Sequence, residues 1–327
     1  MSDTVLVTGS AGFIGSHLAE RLSVAGCNVR AMTHYNFQNN WGWLDSLPRD
    51  VLRNIEVLSG DICDPFFVDK AVKGVTKVFH LASLIAIPYS YKAPASYVET
   101  NVKGTLHVLQ ACRENDVELL IHTSTSETYG TAQYVPIDEK HPLVGQSPYS
   151  ATKIAADKLA ESYHLSFDLP VVTIRPFNTF GPRQSARAII PTIAVQALSG
   201  TDAIRLGALD PVRDLSYVKD TVEGFVLAAQ TPRAVGNVIN LGRGEGISIR
   251  ELAQLILEIC GSQAKIETQA GRLRPENSEV NTLIADGRKA EQMLGWTPGY
   301  GFREALEETI SWFADHLDRY KPDIYNV

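Results

Sequence analysis

Up to residue 176, short apolar runs rich in valine, isoleucine and leucine alternate with longer stretches of helical periodicity. The runs "TVLVTG" (4–9), "NVRAMT" (28–33), "IEVLSG" (55–60), "KVFHLA" (77–82), "ELLIHTS" (118–124) and "PVVTIRP" (170–176) read as strands. Between them the pattern predicts helices at about 13–25, 65–73, 94–114 and 148–167. Strand–helix–strand repetition of this kind builds an α/β fold, a doubly wound parallel sheet covered on both faces. A ligand crevice then lies beyond the carboxyl ends of the strands.

After residue 176 the pattern changes. "GPRQSARAIIP" reads as a loop entering a helix, "AIRLG" and "VRDLSYV" as short strands, and "TVEGFVLAAQ" as a helix. "GNVINLG" reads as one more strand of the main sheet, and helix, loop and helix follow from "ISIRELAQLILEICG" to "FREALEETISWFADHLDRY". This divides the chain into a dinucleotide-binding domain, 1–176 plus about 213–241, and a smaller C-terminal substrate-binding lobe, 177–212 and 242–327. The tail "KPDIYNV" is expected to be loosely held.

Composition narrows the function classes. Hydrophobic content of 44% and charged content of 20% are those of an ordinary globular protein. The net charge is −7 with no basic block, which argues against a nucleic-acid or anionic-membrane partner. Cys27, Cys63, Cys112 and Cys260 are scattered without metal-ligand spacing, so no metal is expected and the thiols read as reduced. No stretch reaches the roughly 18 apolar residues of a membrane span, and "MSDTVLVTG" runs directly into a strand, so the expected location is the cytoplasm.

"TGSAGFIG" sets Gly9, Gly12 and Gly15 between the first strand and the first helix. Glycines there allow a tight turn and let backbone N–H groups, such as those of Phe13 and Ile14, approach a pyrophosphate. The spacing is GxxGxxG and resembles that of the short-chain dehydrogenase/reductase superfamily, a Rossmann-type fold. The second strand ends at Thr33 and His34 with no acid beside them, so a 2′-phosphate is not repelled and Arg30 or His34 would help hold it. The expected cofactor is NAD(P), with a lean to NADP. Asp61 in "GDICD", followed by Ile62, would meet the adenine; the resemblance implies that Leu81, Ala82 and Ser83 line the cofactor, with Pro176 at the end of the sixth strand.

"YSATK" places Tyr149 and Lys153 one helical turn apart on one face. A free phenol titrates near about 10, too high for a base at neutral pH. A lysine ammonium and a nicotinamide cation both favour phenolate, so a lowered value is expected for Tyr149. It can then take a proton from a sugar hydroxyl that Thr125 orients.

With "NVKGT", "RPFNTFGPR", "VRDLSYVKD" and "RPENSEV", the chain resembles the extended short-chain dehydrogenase/reductases that act on nucleotide sugars, from Thr4 to about Asp318. The resemblance implies that Asn178 and Arg213 hold the diphosphate, that Arg274 adds to it and Arg187 joins the substrate set, and that Glu279 binds ribose. It also interprets Thr125-Ser126-Glu127, which resembles the strand-end unit of nucleotide-sugar 4,6-dehydratases. Oxidation at C4 acidifies C5, Glu127 removes that proton, the C6 hydroxyl leaves as water, and hydride returns to C6 with no net redox. Many dehydratases carry Asp where this chain has Ser126, although GDP-mannose-type enzymes use Ser. Glucuronate decarboxylases share the Thr-Ser-Glu pattern and are the alternative, followed by 4-epimerases, which typically lack the acid. A dinucleotide-sensing protein without turnover is the alternative of another class. The segment 34–48, "HYNFQNNWGWLDSLP", is expected to cover the adenine end with Trp41 and Trp43 packed. It looks like the corresponding loop of legionaminic-acid-type 4,6-dehydratases, which act on GDP- or UDP-linked N-acetylglucosamine. A homodimer is expected, joined through the helices of 94–114 and 148–167, with Val98, Leu106, Leu109, Ile154, Leu159 and Tyr163 as apolar surface.

Overall fold

A computed structural model describes residues 3–322 and 324 of the chain. The strands are β1 (Thr4–Thr8), β2 (Asn28–His34), β3 (Ile55–Gly60), β4 (Lys77–His80), β5 (Leu119–Thr123), β6 (Val171–Pro176), β7 (Asn178–Phe180), β8 (Ala203–Leu206), β9 (Val212–Tyr217), β10 (Val238–Leu241), β11 (Gly246–Ser248), β12 (Lys265–Thr268) and β13 (Thr282–Leu283). The α-helices are α1 (Phe13–Val24), α2 (Arg49–Leu52), α3 (Pro65–Val72), α4 (Ile87–Lys92), α5 (Pro94–Tyr97), α6 (Gly104–Glu114), α7 (Pro148–Phe167), α8 (Ile189–Leu198), α9 (Val218–Gln230), α10 (Ile249–Cys260), α11 (Arg288–Leu294) and α12 (Phe302–Asp315).

Seven strands form one sheet in the order β10-β6-β5-β4-β1-β2-β3, every pair parallel. Successive side chains of a strand face opposite sides. Val5 and Val7 of β1 accordingly join one core with Phe79, Ile121 and Ile174, while Leu6 joins the other with Met32, Val78 and Leu120. Both faces are dry, which is why these strands read as continuous apolar runs. Strand order reverses between β1 and β4, so the crevice opens at their carboxyl ends.

The helices start where local chemistry favours it. Asp64 caps α3 by accepting from the amides of Phe66 and Phe67, with Pro65 in the first turn. Ser147 and Ser150 cap each other's backbone at the start of α7, and Asp168 closes that helix in the left-handed conformation. The smaller sheets, β11-β9-β13 with β7 on β9 and the pair β12-β8, lie in the second half of the chain.

Several expectations change. The stretch 94–114 is not one regular helix: a π-helical turn, Val98–Lys103, separates α5 from α6. Residues 212–217, read as a short strand, pair with β7, β11 and β13, while the main-sheet edge beside β6 is taken by β10. Leu109 and Tyr163 are buried in the subunit's own core and offer no free surface, whereas Val98 is 44% exposed. Trp41 is 41% exposed rather than packed. Most of the tail "KPDIYNV" falls outside the described residues. Among the described residues no helix is long and apolar enough to cross a membrane and no cluster could hold a metal ion.

Candidate active site

A cavity of about 880 Å³ opens along the carboxyl ends of the main sheet. At one end the turn after β1 brings the backbone into contact with itself. Gly9 has φ +74°, and a Cβ on Gly15 would stand 2.3 Å from the Gly9 carbonyl oxygen. Only glycine leaves the first amides of α1 free to face the cavity, which fits a dinucleotide pyrophosphate. Gly12, Phe13 and Ile14 line this wall.

Beyond β2 and β3 the wall carries Thr33, His34, Asp61 and Ile62, the residues expected at the adenosine end. Thr33 is buried with its hydroxyl 3.2 Å from that of Ser59. His34 Nε2 lies 3.3 Å from Asp61 Oδ2. Arg30 does not belong here. It sits nearer the start of β2, donating to Glu56 (2.8 Å) and to the carbonyls of Ala71 (3.1 Å) and Lys73 (2.7 Å). The 34–48 segment returns to the glycine turn, where Trp43 N–H donates to the Ala11 carbonyl at 3.0 Å. The Trp43 ring lines the cavity and packs edge-on against Trp312 of α12 at 5.2 Å.

The central wall carries the residues expected to be catalytic. β5 ends at Thr123, and Thr125 caps a 3-10 turn, Ser126–Tyr129, by accepting the Glu127 amide at 3.3 Å. That turn puts Ser126 and Glu127 on the cavity wall with Thr125, opposite Tyr149 and Lys153 of α7. Tyr149 is 7% exposed and Lys153 4%. The Lys153 ammonium donates to the Thr123 carbonyl at 2.6 Å, and burial lowers its pKa to about 8, opposed by the Asp157 carboxylate. Burial pushes the Tyr149 phenol up, and the Glu127 charge adds to this, while Thr125 and the Arg187 guanidinium oppose it. The expected lowering is therefore not met by the protein's own groups, since desolvation outweighs every cation in reach.

One residue away from this wall, Asn101 in the π turn clamps the 81–88 segment. It accepts from the Leu84 amide (2.8 Å) and donates to the Leu84 carbonyl (2.9 Å) and to Thr152 Oγ1 (3.1 Å). Leu81, Ala82 and Ser83 line the cavity on that segment, and so does Ile85, whose part was not visible in the sequence. Pro176 closes the β6 end.

At the far end the second half of the chain supplies charge. Asn178, Arg187, Arg213, Arg274 and Glu279 all line the cavity. Arg213 donates to Glu279 at 3.4 Å, and Arg274 lies 3.8 Å from the same carboxylate. Glu279 is thus held by two guanidinium groups, and Arg213 also feels the charge of Glu127. Arg183 lines the cavity as well; it was missed because its place depends on an ion pair with Glu20 at 2.8 Å, contributed by α1.

The family model described as GDP-mannose 4,6 dehydratase matches residues 6–309. A dTDP-glucose 4,6-dehydratase of Streptomyces niveus is 31% identical over 324 residues, covering 97% of this chain and 95% of that protein. The structure of the epimerase Mth375 from Methanothermobacter thermautotrophicus aligns with a TM-score of 0.89 at 29% identity, covering 97% of this chain and 94% of that one. DesIV, a dTDP-glucose 4,6-dehydratase from Streptomyces venezuelae solved with NAD and TYD bound, aligns with a TM-score of 0.87 at 28% identity, covering 98% and 99%. Since the match takes in the glycine turn, the Thr125–Glu127 wall and the arginine-lined end alike, the chain belongs to the GDP-mannose 4,6 dehydratase family.

Proposed function

We propose that the protein is a nucleotide-sugar 4,6-dehydratase acting on a GDP- or UDP-linked N-acetylglucosamine. The observation that carries this reading is Glu127, a carboxylate aimed into the same cavity as Thr125, Tyr149 and Lys153 by a capped turn. A C4 epimerisation needs no further base, so an acid held there by its own local structure speaks for elimination. A nicotinamide dinucleotide held against the Gly9–Gly15 turn would supply the hydride acceptor and donor for this reaction. Thr125 orients the C4 hydroxyl, Tyr149 takes its proton, and Lys153 fixes the charge nearby. Glu127 removes the C5 proton once C4 is a ketone and passes it, through the Ser126 hydroxyl, to the departing C6 hydroxyl, which leaves as water. Arg213, Arg274 and Asn178 hold the diphosphate, with Glu279 towards the ribose.

The cofactor is a nicotinamide dinucleotide. The lean to NADP loses Arg30 as support, and the Asp61 carboxylate beside His34 favours NAD. The enzyme works as a homodimer through the outer faces of α6 and α7 and the π turn that precedes α6, where Val98 is exposed; Val98→Glu should split it, read by light scattering.

A second reading, decarboxylation of a uronate, is favoured by Arg187, a half-buried guanidinium on the cavity wall in electrostatic contact with Tyr149 and Tyr97, which would meet a sugar carboxylate. Incubation with GDP-N-acetylglucosamine, UDP-N-acetylglucosamine and UDP-glucuronate, without added reductant, separates the two by product mass. Loss of water from an N-acetylglucosamine nucleotide is the expected result. Loss of carbon dioxide from the glucuronate alone would replace the first reading with the second.

A further inference from the structure

Beneath the cavity lies a buried ionic cluster that the proposed reaction does not use. Asp157 stands one turn beyond Lys153 on α7 and is 5% exposed. Its carboxylate accepts from His122 Nε2 (3.0 Å) and Ser124 Oγ (2.6 Å), both of β5 or its extension, and from Arg175 Nη2 (2.7 Å) of β6. Arg175 also donates to Ser124 Oγ at 3.2 Å, and its guanidinium lies 4.7 Å from the centre of the Tyr129 ring. One carboxylate therefore ties the catalytic helix to two strands, at the residue immediately before Thr125. An ion pair so dry is an expensive way to hold a helix, since apolar residues would often do as well.

We propose that Asp157, itself held by Arg175, is a positioning residue that acts through Lys153, keeping the lysine cationic one turn from Tyr149. The proposal rests on the reading that Tyr149 and Lys153 serve the C4 oxidation. The titratable groups in electrostatic contact with Lys153 are Asp157 on its own helix, His122 on β5 and His80 on β4. Both histidines are pushed down by burial and by the Lys153 charge itself, so they stay neutral near pH 7. Arg175 of β6 pairs with the same Asp157 carboxylate at 2.7 Å. Among the described residues, Asp157 is the carboxylate in electrostatic contact with Lys153, and it is held ionised by His122, Arg175 and Ser124 despite its burial. The spacing of four residues places the two side chains on one helix face, within range of a direct charge interaction.

The test is competitive acetylation of the protein with acetic anhydride across the neutral to alkaline range, following the Lys153 peptide by mass spectrometry. Lys153 lines the cavity but is only 4% exposed, so its labelling is slow and is followed over long reaction times. The wild-type reactivity should rise with an inflection near about 8. In Asp157→Asn the inflection should fall by about one to three pH units, as loss of a neighbouring opposite charge requires. Asp157→Glu should keep it near the wild-type value, whatever its stability. Arg175→Met, which leaves Asp157 less compensated, should move it upwards, so the proposal can be read even if Asp157→Asn fails to fold. An inflection unchanged in folded Asp157→Asn, or lowered in Arg175→Met, would overturn the proposal and leave Asp157 a structural tie only. If the inflections move as stated but no nucleotide sugar is turned over, the functional reading falls while the role of Asp157 stands.

Discussion

Glu127→Gln changes one charge and almost no volume, and under the proposed reaction it should stop one half and spare the other. The Glu127 backbone is fixed by Thr125, which accepts its amide, so glutamine inherits the same turn. The Glu127 charge raises the Tyr149 pKa and stabilises the cationic form of Arg213. Removing it relieves Tyr149, so oxidation at C4 should be unimpaired or slightly faster. The C5 proton, in contrast, loses its base. Positioned general bases contribute about 10²–10⁴ in rate, or about 3–5.5 kcal/mol of barrier. The variant should therefore accumulate reduced nicotinamide in a stopped-flow experiment while product formation falls by that factor. Solvent deuterium should fail to enter C5. Turnover within a few-fold of wild type would refute the assignment of Glu127 as the base, and loss of nicotinamide reduction would show that it serves the first step.

Gly15→Ala would drive a Cβ to 2.3 Å from a backbone oxygen that cannot yield, so the variant should lose copurifying dinucleotide and melt earlier by thermal-shift assay. Ser147→Ala removes the cap of α7 and should cost about 1 kcal/mol in a urea titration. Lys153→Met should abolish nicotinamide reduction yet unfold at higher temperature than wild type at neutral pH. Because the folded-state pKa of Lys153 is lowered to about 8, burying its charge costs stability in full below that pH and the cost fades as pH rises towards the ordinary lysine range; the stability gap should therefore narrow above about pH 8. A gap that widens with pH would contradict the sign.

The strands of the main sheet were legible because burial on both faces leaves unbroken apolar runs, as in "VLV" of β1 and "LLI" of β5. The glycine turn, Thr125 to Glu127, and the Tyr149–Lys153 pair were legible because each is local: a turn, a cap or a helical repeat writes itself in adjacent residues. What could not be read depends on which residues the sheet brings side by side. Arg30 looked free for a phosphate until register placed Glu56 opposite it. Leu109 and Tyr163 carried the same apolar label as Val98, and only the packing of α6 against α7 decided which faced inward. Asp157 shares the four-residue rhythm of Tyr149 and Lys153, but its partners His122 and Arg175 come from different strands.

The π turn at Val98–Lys103 sets a phase. A π turn accommodates one residue more than regular α-helix would, so α6 is rotated relative to α5 by about 100° from where an unbroken helix would put it. Asn101 reaches both Leu84 and Thr152 because of that offset. A conservative substitution leaves the phase alone, whereas deletion of a single residue between 98 and 103 would let the helix run regularly and turn the clamp away from the cavity wall. In this segment the length of the chain, more than the identity of its surface side chains, is what descendants of the sequence are not free to change.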